Sequence, residues 1–152
     1  MSEYLQTTID KFTFRVAKDR LYTADGVWLL PVQSHSTQRV RVGVTDFFQQ
    51  HNGDVAFVDV KGTGASFNNG EEFAEIETMK VNVSLPSPVA GTIAEVNPAL
   101  ELTPEVVNKD PYDKGWLAEI DVLQWEADRV WLLDAAAYLA VMQEQAEEEL
   151  KS

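Results

Sequence analysis

Short stretches of alternating apolar and polar residues fill the middle of the chain. This alternation has the period of a β-strand with one buried face. It is clearest in VRVGV (40–44), VAFVDV (55–60) and FAEIETMKVNVSL (73–85). Between the first two stretches, TDFFQQHN offers Thr45 or Asp46 as a capping residue and ends near Gly53, which predicts a short helix. The pattern is typical of a mainly β protein, of the α+β class, with short helices.

The alternating stretches occur twice in the same order. FAEIET (73–78) is echoed by LAEIDV (117–122), and two looser pairs are GDVAFVDV (53–60) with AGTIAEVNP (90–98) and VRVGV (40–44) with VNVSL (81–85). A single small β unit buries too little apolar surface to be stable alone. We therefore predict a β sandwich or flattened barrel of two quasi-symmetric units, with its core at about residues 40–122.

The last part of the chain changes to helical periodicity. Apolar residues recur there at spacings of three and four, which places them on one face of a helix. They are Leu132, Ala135, Ala136, Leu139, Met142, Ala146 and Leu150. The pattern predicts a docked C-terminal helix at about 125–148, and a second helical connection is expected at 98–109. At 152 residues, the whole chain (1–152) is predicted to form a single domain.

The charge of the chain restricts its partners. The formal net charge is -13, so the chain lacks the basic surface that binds nucleic acid or an anionic membrane. A basic surface on a partner protein is compatible with this charge. The N-terminus MSEYLQTTID does not resemble a signal peptide, and no stretch is apolar enough to span a membrane. We expect a cytoplasmic monomer.

The sequence contains no cysteine, which excludes disulfides, thiolate metal sites and a cysteine nucleophile. The two histidines, His35 and His51, have no carboxylates at ligand-like spacing and are interpreted as surface residues. Neither a catalytic constellation nor a metal motif is found. The chain is therefore not expected to be an enzyme or to bind a metal.

Lys80 is the residue that suggests chemistry. It lies in EIETMK (75–80), where one alternating stretch passes to the next without a glycine, proline or asparagine to form the turn. A lysine in a turn is commonly just solvated. However, Glu75, Glu77 and Met79 form a pattern that a modifying enzyme could recognise, and a protruding ε-amine suits amide attachment of a swinging cofactor.

Over about residues 40–145, the chain resembles the H proteins of the glycine cleavage system and their relatives. LLDAAAYLAVM fits the C-terminal helix of that family. The other motifs are GDV (53–55), E-x-x-K (77–80), SPVAG (87–91), VN-x-AL (96–100), PE-x-VN-x-DPY (104–112) and GWL (115–117). The resemblance implies a lipoyl-type β fold with lipoic acid amide-linked to Lys80. It implies a dithiolane arm that carries a sulfur-bound group between enzymes.

Three departures from the family pattern affect the expected pathway. The usual E-S-[VT]-K-A is here Glu77-Thr78-Met79-Lys80-Val81, Gly26 replaces the histidine of a usual His-x-Trp, and residues 1–19 match poorly. These departures resemble lipoate-binding proteins of heterodisulfide-reductase-like sulfur oxidation, so that pathway is our preferred prediction.

The resemblance also implies partners. A lipoate ligase or lipoyl transferase would modify Lys80, and a heterodisulfide-reductase-like complex would use the arm. The alternative is a glycine cleavage H protein, which serves glycine decarboxylase, aminomethyltransferase and dihydrolipoamide dehydrogenase. A biotin carrier, suggested by Met79-Lys80, and an unmodified scaffold subunit stay open as further alternatives.

Overall fold

The structure, a computed structural model, describes residues 3–33 and 37–151. Its strands are β1 Tyr4–Ile9, β2 Phe12–Ala17, β3 Leu21–Tyr22, β4 Val27–Val32, β5 Arg39–Val44, β6 Val55–Val60, β7 Ser66–Phe67, β8 Glu72–Thr78, β9 Asn82–Pro86, β10 Gly91–Val96 and β11 Ala118–Val122. Its helices are α1 Asp46–Asn52, α2 Ala99–Leu102, α3 Val106–Lys109, α4 Trp125–Asp128 and α5 Ala135–Lys151, with a 3₁₀ turn at Arg129–Trp131.

Two antiparallel sheets share one apolar core. The large sheet has the order β3-β4-β5-β11-β10-β7, and the small sheet has the order β6-β8-β9. One cluster of buried side chains includes Val42 and Ile120 from the large sheet and Ile76 and Leu85 from the small sheet. The predicted mainly β architecture with two layers, short helices and a C-terminal helix is confirmed.

The sequence repeat corresponds to two similar groups of three strands. In the small sheet, β8 lies between β6 and β9; in the large sheet, β11 lies between β10 and β5. The echoed stretches therefore occupy matching places. The prediction of two successive units is wrong in one respect, because β5 precedes the small sheet in the chain yet pairs with β11. Lys80 consequently lies within a hairpin of the small sheet and not between two units.

Helix α1 forms as its sequence predicts. Thr45 is the capping residue, and its hydroxyl accepts a hydrogen bond from the Phe48 amide at 3.1 Å. The helix ends at Gly53, whose φ of 89° lies in the region that favours glycine. This short helix connects β5 of the large sheet to β6 of the small sheet.

The C-terminal helix begins later than predicted. Within 125–148, α4 and the 3₁₀ turn come first, and α5 starts only at Ala135. Two interactions break the helix: the buried Asp128 carboxylate accepts a 2.8 Å hydrogen bond from the Ala90 amide, and Leu133 pairs with Tyr22 as an isolated bridge. Asp134 then caps α5 through the Ala137 amide. The apolar spacing runs through this break and therefore hides it.

The predicted helical connection at 98–109 is two short helices. Helix α2 ends before Thr103-Pro104, and α3 starts at Val106. Proline lacks the amide hydrogen that would continue a helix, which accounts for the interruption.

A second apolar cluster extends the core beyond residues 40–122. The β1–β2 hairpin contributes Phe14 and Val16, which pack with Trp28 and the buried face of α5. Within this cluster, the rings of Tyr22 and Tyr138 stack at 4.7 Å. Burial raises the pKa of Tyr138 to about 12, so its hydroxyl stays protonated at neutral pH, where it lies 2.8 Å from the Thr45 hydroxyl. No helix in the described residues is long and apolar enough to cross a membrane.

Gly43 tests the packing between β4 and β5. It lies opposite Trp28, and a Cβ atom at Gly43 would lie 2.5 Å from the indole ring. The indole is fully buried and donates to the Pro111 carbonyl at 3.0 Å, so it has little room to move. Gly43→Ala should lower the free energy of unfolding by about 1–3 kcal/mol in chemical denaturation. Gly62→Ala, which meets no atom within 4 Å, is the control and should change it by less than about 0.5 kcal/mol.

Candidate functional site

Lys80 lies at the tip of the β8–β9 hairpin, next to Met79. The flanking residues close the turn, since the Thr78 amide donates to the Val81 carbonyl at 2.8 Å. Tight two-residue hairpins commonly need positive φ at a central residue, and in the described chain only Asp10 and four glycines, none in this turn, have positive φ. The turn is therefore stabilised in another way.

The Thr78 hydroxyl supplies that stabilisation. It accepts hydrogen bonds from the amides of Lys80 at 3.2 Å and Val81 at 3.1 Å, and it donates to the Val81 carbonyl at 3.2 Å. The side chain is buried, so these bonds are shielded from water. A serine at position 78, as in the usual family pattern, has the same hydroxyl. The Ser-to-Thr departure at this position is therefore chemically conservative.

The connection from α1 to β6 packs against the turn and is hydrogen-bonded to it. The Met79 amide donates to the Asp54 carbonyl at 3.0 Å, and the Asn108 side chain binds both the Gly53 carbonyl and the Val55 amide. The Lys80 stem passes over Gly53, where an added Cβ would lie 3.6 Å from the lysine Cδ. The backbone of the turn is thus held on both sides.

The ε-amine of Lys80 is accessible. The side chain is exposed, and its Nζ lies 3.4 Å from the His51 carbonyl. Within residues 3–33 and 37–151, no carboxylate forms an ion pair with it. The amine can therefore react with an incoming acyl group after breaking one long hydrogen bond.

An apolar groove of about 300 Å³ adjoins Lys80. Its walls come from the β1–β2 hairpin, from α1 and from the end of α5, and they include Phe12, Phe14, Phe47, Ala146 and Leu150. The sequence interpretation missed this groove. The alternating aromatic residues of FTFRVA (12–17) form one wall of the groove, but nothing in the sequence places the β1–β2 hairpin beside Lys80.

The predicted recognition residues lie near Lys80 on the outer surface. Glu75 and Glu77 alternate with buried residues of β8 and are exposed on the outer face of the small sheet. Met79 is 79% exposed at the hairpin tip. Their role in recognition stays a prediction.

Of the two histidines that were interpreted as surface residues, the structure describes one. His51 is exposed in the last turn of α1, where its Nδ1 lies 3.5 Å from a carboxylate oxygen of Glu149. His35 lies outside the described residues. Among the residues that the structure describes, no three histidine or carboxylate side chains are grouped to hold a metal ion.

The replacement of histidine at position 26 has a local explanation. Gly26 forms the turn between β3 and β4 with a φ of 87°, which an L-amino acid rarely adopts. A Cβ there would lie 3.3 Å from Phe48. The departure therefore reflects the backbone of this turn and says little about a pathway.

Comparison with known proteins identifies the family. The family model described as "Glycine cleavage H-protein" matches residues 20–145, which include the whole Lys80 hairpin and both sheets. This chain belongs to the glycine cleavage H-protein family. The β1–β2 hairpin and the last residues of α5 lie outside the match, so part of the groove beside Lys80 is built by residues outside the matched range.

Individual H proteins are similar over almost their full length. The glycine cleavage system H protein of Mycobacterium avium is 41% identical over 132 residues, covering 85% of this chain and 98% of that protein. The H protein of Thermus thermophilus is 40% identical over 131 residues, covering 86% and 98%. A crystal structure of the H protein from Mycobacterium marinum superposes with a TM-score of 0.67 at 33% identity, covering 81% of this chain and 95% of that one. The H-protein β-sandwich fold is thereby confirmed.

These relatives do not support the expected pathway and favour the alternative. All three are glycine cleavage system H proteins, and none supports the sulfur-oxidation variant that we preferred from the sequence. The preference rested on Thr78, Met79, Val81 and Gly26, and on the poor match of residues 1–19. In the structure, Thr78 retains the hydroxyl and Gly26 satisfies a local turn, so two of these departures lose their weight.

The Thr78 hydroxyl can be tested directly. Thr78→Val removes the group that satisfies two amides and should lower the free energy of unfolding by about 1–3 kcal/mol. Thr78→Ser keeps the hydroxyl and should stay within about 1 kcal/mol of the wild type. Chemical denaturation measures both. Hydrogen exchange at the Lys80 and Val81 amides should accelerate in the valine variant only; equal exchange in both variants would contradict this role.

Proposed function

We propose that the chain is a glycine cleavage H protein, a non-catalytic carrier with lipoate amide-linked to Lys80. The observation that carries this proposal is the exposed Nζ of Lys80 at the tip of a hydrogen-bonded hairpin, in a chain of this family. The absence of cysteine is consistent with it, because protein thiols would compete with the arm in thiol–disulfide exchange.

The residues around Lys80 fit a tethered cofactor. Amide formation at Nζ removes two protons and the positive charge of the ammonium group, and no carboxylate of the described residues loses an ion pair in the process. Thr78 and Asp54 fix the backbone, so the lysine stem provides the flexibility. The adjoining groove offers apolar walls beside Lys80. When bound, lipoate supplies a dithiolane that opens to a dithiol and holds a transferable group on sulfur.

The proposed function implies two sets of partners. A lipoate ligase or lipoyl transferase forms the amide, with Glu75, Glu77 and Met79 as proposed recognition residues beside Lys80. Glycine decarboxylase, aminomethyltransferase and dihydrolipoamide dehydrogenase then use the arm. The surface of the chain, with a formal net charge of -13, favours basic patches on these enzymes.

Attachment at Lys80 is tested by intact mass. Protein made in cells supplied with lipoate and a lipoate ligase should gain one lipoyl group, and Lys80→Arg should gain none because arginine keeps the charge but cannot form the amide. Lys114→Arg is the matched control and should still be modified. A streptavidin blot separates this outcome from a biotin carrier, and an unmodified wild type would support a scaffold instead.

The pathway is tested by reconstitution. Lipoylated protein with glycine decarboxylase, aminomethyltransferase, dihydrolipoamide dehydrogenase and tetrahydrofolate as the acceptor of the one-carbon unit should support glycine-dependent reduction of NAD, whereas Lys80→Arg protein should not. Since the expected activity depends on the arm, the loss should reach the background rate measured without carrier. Full lipoylation without any turnover would contradict the glycine cleavage assignment and leave the attachment site intact.

A further inference from the structure

The two sheets carry the same pair of carboxylates on their central strands. Strand β8 has Glu75 and Glu77, and the matching strand β11 has Glu119 and Asp121, as the echo between FAEIET and LAEIDV indicates. The surroundings of the two pairs can therefore be compared within one molecule, because strands of similar sequence carry carboxylates at matching positions.

In the large sheet, arginines from the neighbouring strand neutralise the pair. Arg41 of β5 lies 2.8 Å from the Glu119 carboxylate, and Arg39 lies 2.8 Å from that of Asp121. Each arginine is the cross-strand partner of its carboxylate. The Arg39 guanidinium also holds the pKa of the Asp121 carboxyl below its ordinary value. In the large sheet, both carboxylates of the pair are therefore neutralised by arginines of the same molecule.

In the small sheet, the corresponding positions are uncharged. Strand β9 places Ser84 opposite Glu75 and Asn82 opposite Glu77. On the other side, β6 places Asp59 directly opposite Glu75, where like charges repel and destabilise the pair. Throughout the described part of the chain, none of the three carboxylates forms an ion pair. Lys61 borders a small pocket with Asp59 and Glu75 without reaching either in an ion pair.

An exposed aromatic residue completes this surface. Phe57 of β6 is 58% exposed and lies opposite Glu77, and Met79 and Val81 at the hairpin tip are 79% and 44% exposed. We call Phe57, Asp59, Glu75 and Glu77 the acidic face. It ends at the turn that carries Lys80. Repelling charges and an exposed aromatic ring are costs to the isolated protein, and both are relieved by a partner with cationic groups around an apolar contact.

We propose that the acidic face docks the enzyme that acylates Lys80, with cationic side chains of that enzyme taking the places that Arg39 and Arg41 occupy over β11. The inference rests on the proposed function. An enzyme that forms the amide must bring Nζ itself into its active site, so it must contact the hairpin that bears the lysine. Enzymes that act on the far end of the arm do not have to bring Nζ into their active sites.

Two double variants test the acidic face with a purified lipoate–protein ligase, lipoate and ATP. Asp59→Asn with Glu75→Gln removes two charges, and Asn82→Arg with Ser84→Arg gives the face the counter-charges that the large sheet already has. Each should lower kcat/KM for attachment by about tenfold, mainly through KM, and weaken its dependence on salt. Phe57→Ala should also raise KM.

The matched control removes two charges elsewhere. Asp113→Asn with Glu126→Gln changes the net charge equally, and both residues are exposed and lie outside the small sheet. This control should keep wild-type kcat/KM. Misfolding is excluded by thermal unfolding, since relief of the Asp59–Glu75 repulsion should leave the melting temperature unchanged or higher.

The outcomes separate the two proposals. If the wild type accepts no lipoate, the proposed function fails, and the docking proposal falls with it. If both double variants are modified as fast as the wild type, the docking role of the acidic face is contradicted, while the proposed carrier function stands. If attachment is unchanged but turnover with glycine decarboxylase slows, the face serves another enzyme and the proposed occupant is wrong.

Discussion

The position of Lys80 depends on the pairing of β8 along both of its edges. Strand β8 is hydrogen-bonded to β6 on one side and to β9 on the other, and it buries alternate side chains in the shared core. At its end, the Thr78 hydroxyl replaces the special turn residues that a tight hairpin usually needs. A rigid platform under a flexible side chain is what a tethered carrier requires, because the tether provides the motion and the platform provides the location.

Much of the fold was predictable because alternation and repeats record local burial. The strands at VRVGV, VAFVDV and FAEIET, and the capped α1 helix, follow from period and capping chemistry alone. Two features depend on distant contacts and were not predictable. The exchange of β5 into the sheet of β11 is invisible in the repeat, and the break before α5 depends on the buried Asp128 and on the pairing of Leu133 with Tyr22.

The sequence motif singles out Lys80, but the structural role of its neighbours could not be predicted from the sequence. In the sequence, the replacement of the usual serine by Thr78 suggested a pathway other than glycine cleavage. In the structure, the Thr78 hydroxyl makes hydrogen bonds that a serine hydroxyl could also make. The groove beside Lys80 could not be foreseen, because the β1–β2 hairpin and the end of α5 meet there only in three dimensions. The uncompensated carboxylates became apparent only when the registers of the two sheets could be compared.

The exchange of β5 also affects the order in which the molecule can form. Arg41 and Glu119 are 78 positions apart in the chain, so the large sheet closes only after a long loop has been ordered. The three strands of the small sheet all lie within residues 55–86, and only β7, which pairs with β10 of the large sheet, comes between them in the chain. During synthesis, the hairpin that carries Lys80 is therefore complete while the large sheet still lacks β11. The hairpin that carries Lys80 therefore belongs to a sheet whose strands are close together in the chain, and the large sheet is completed after it.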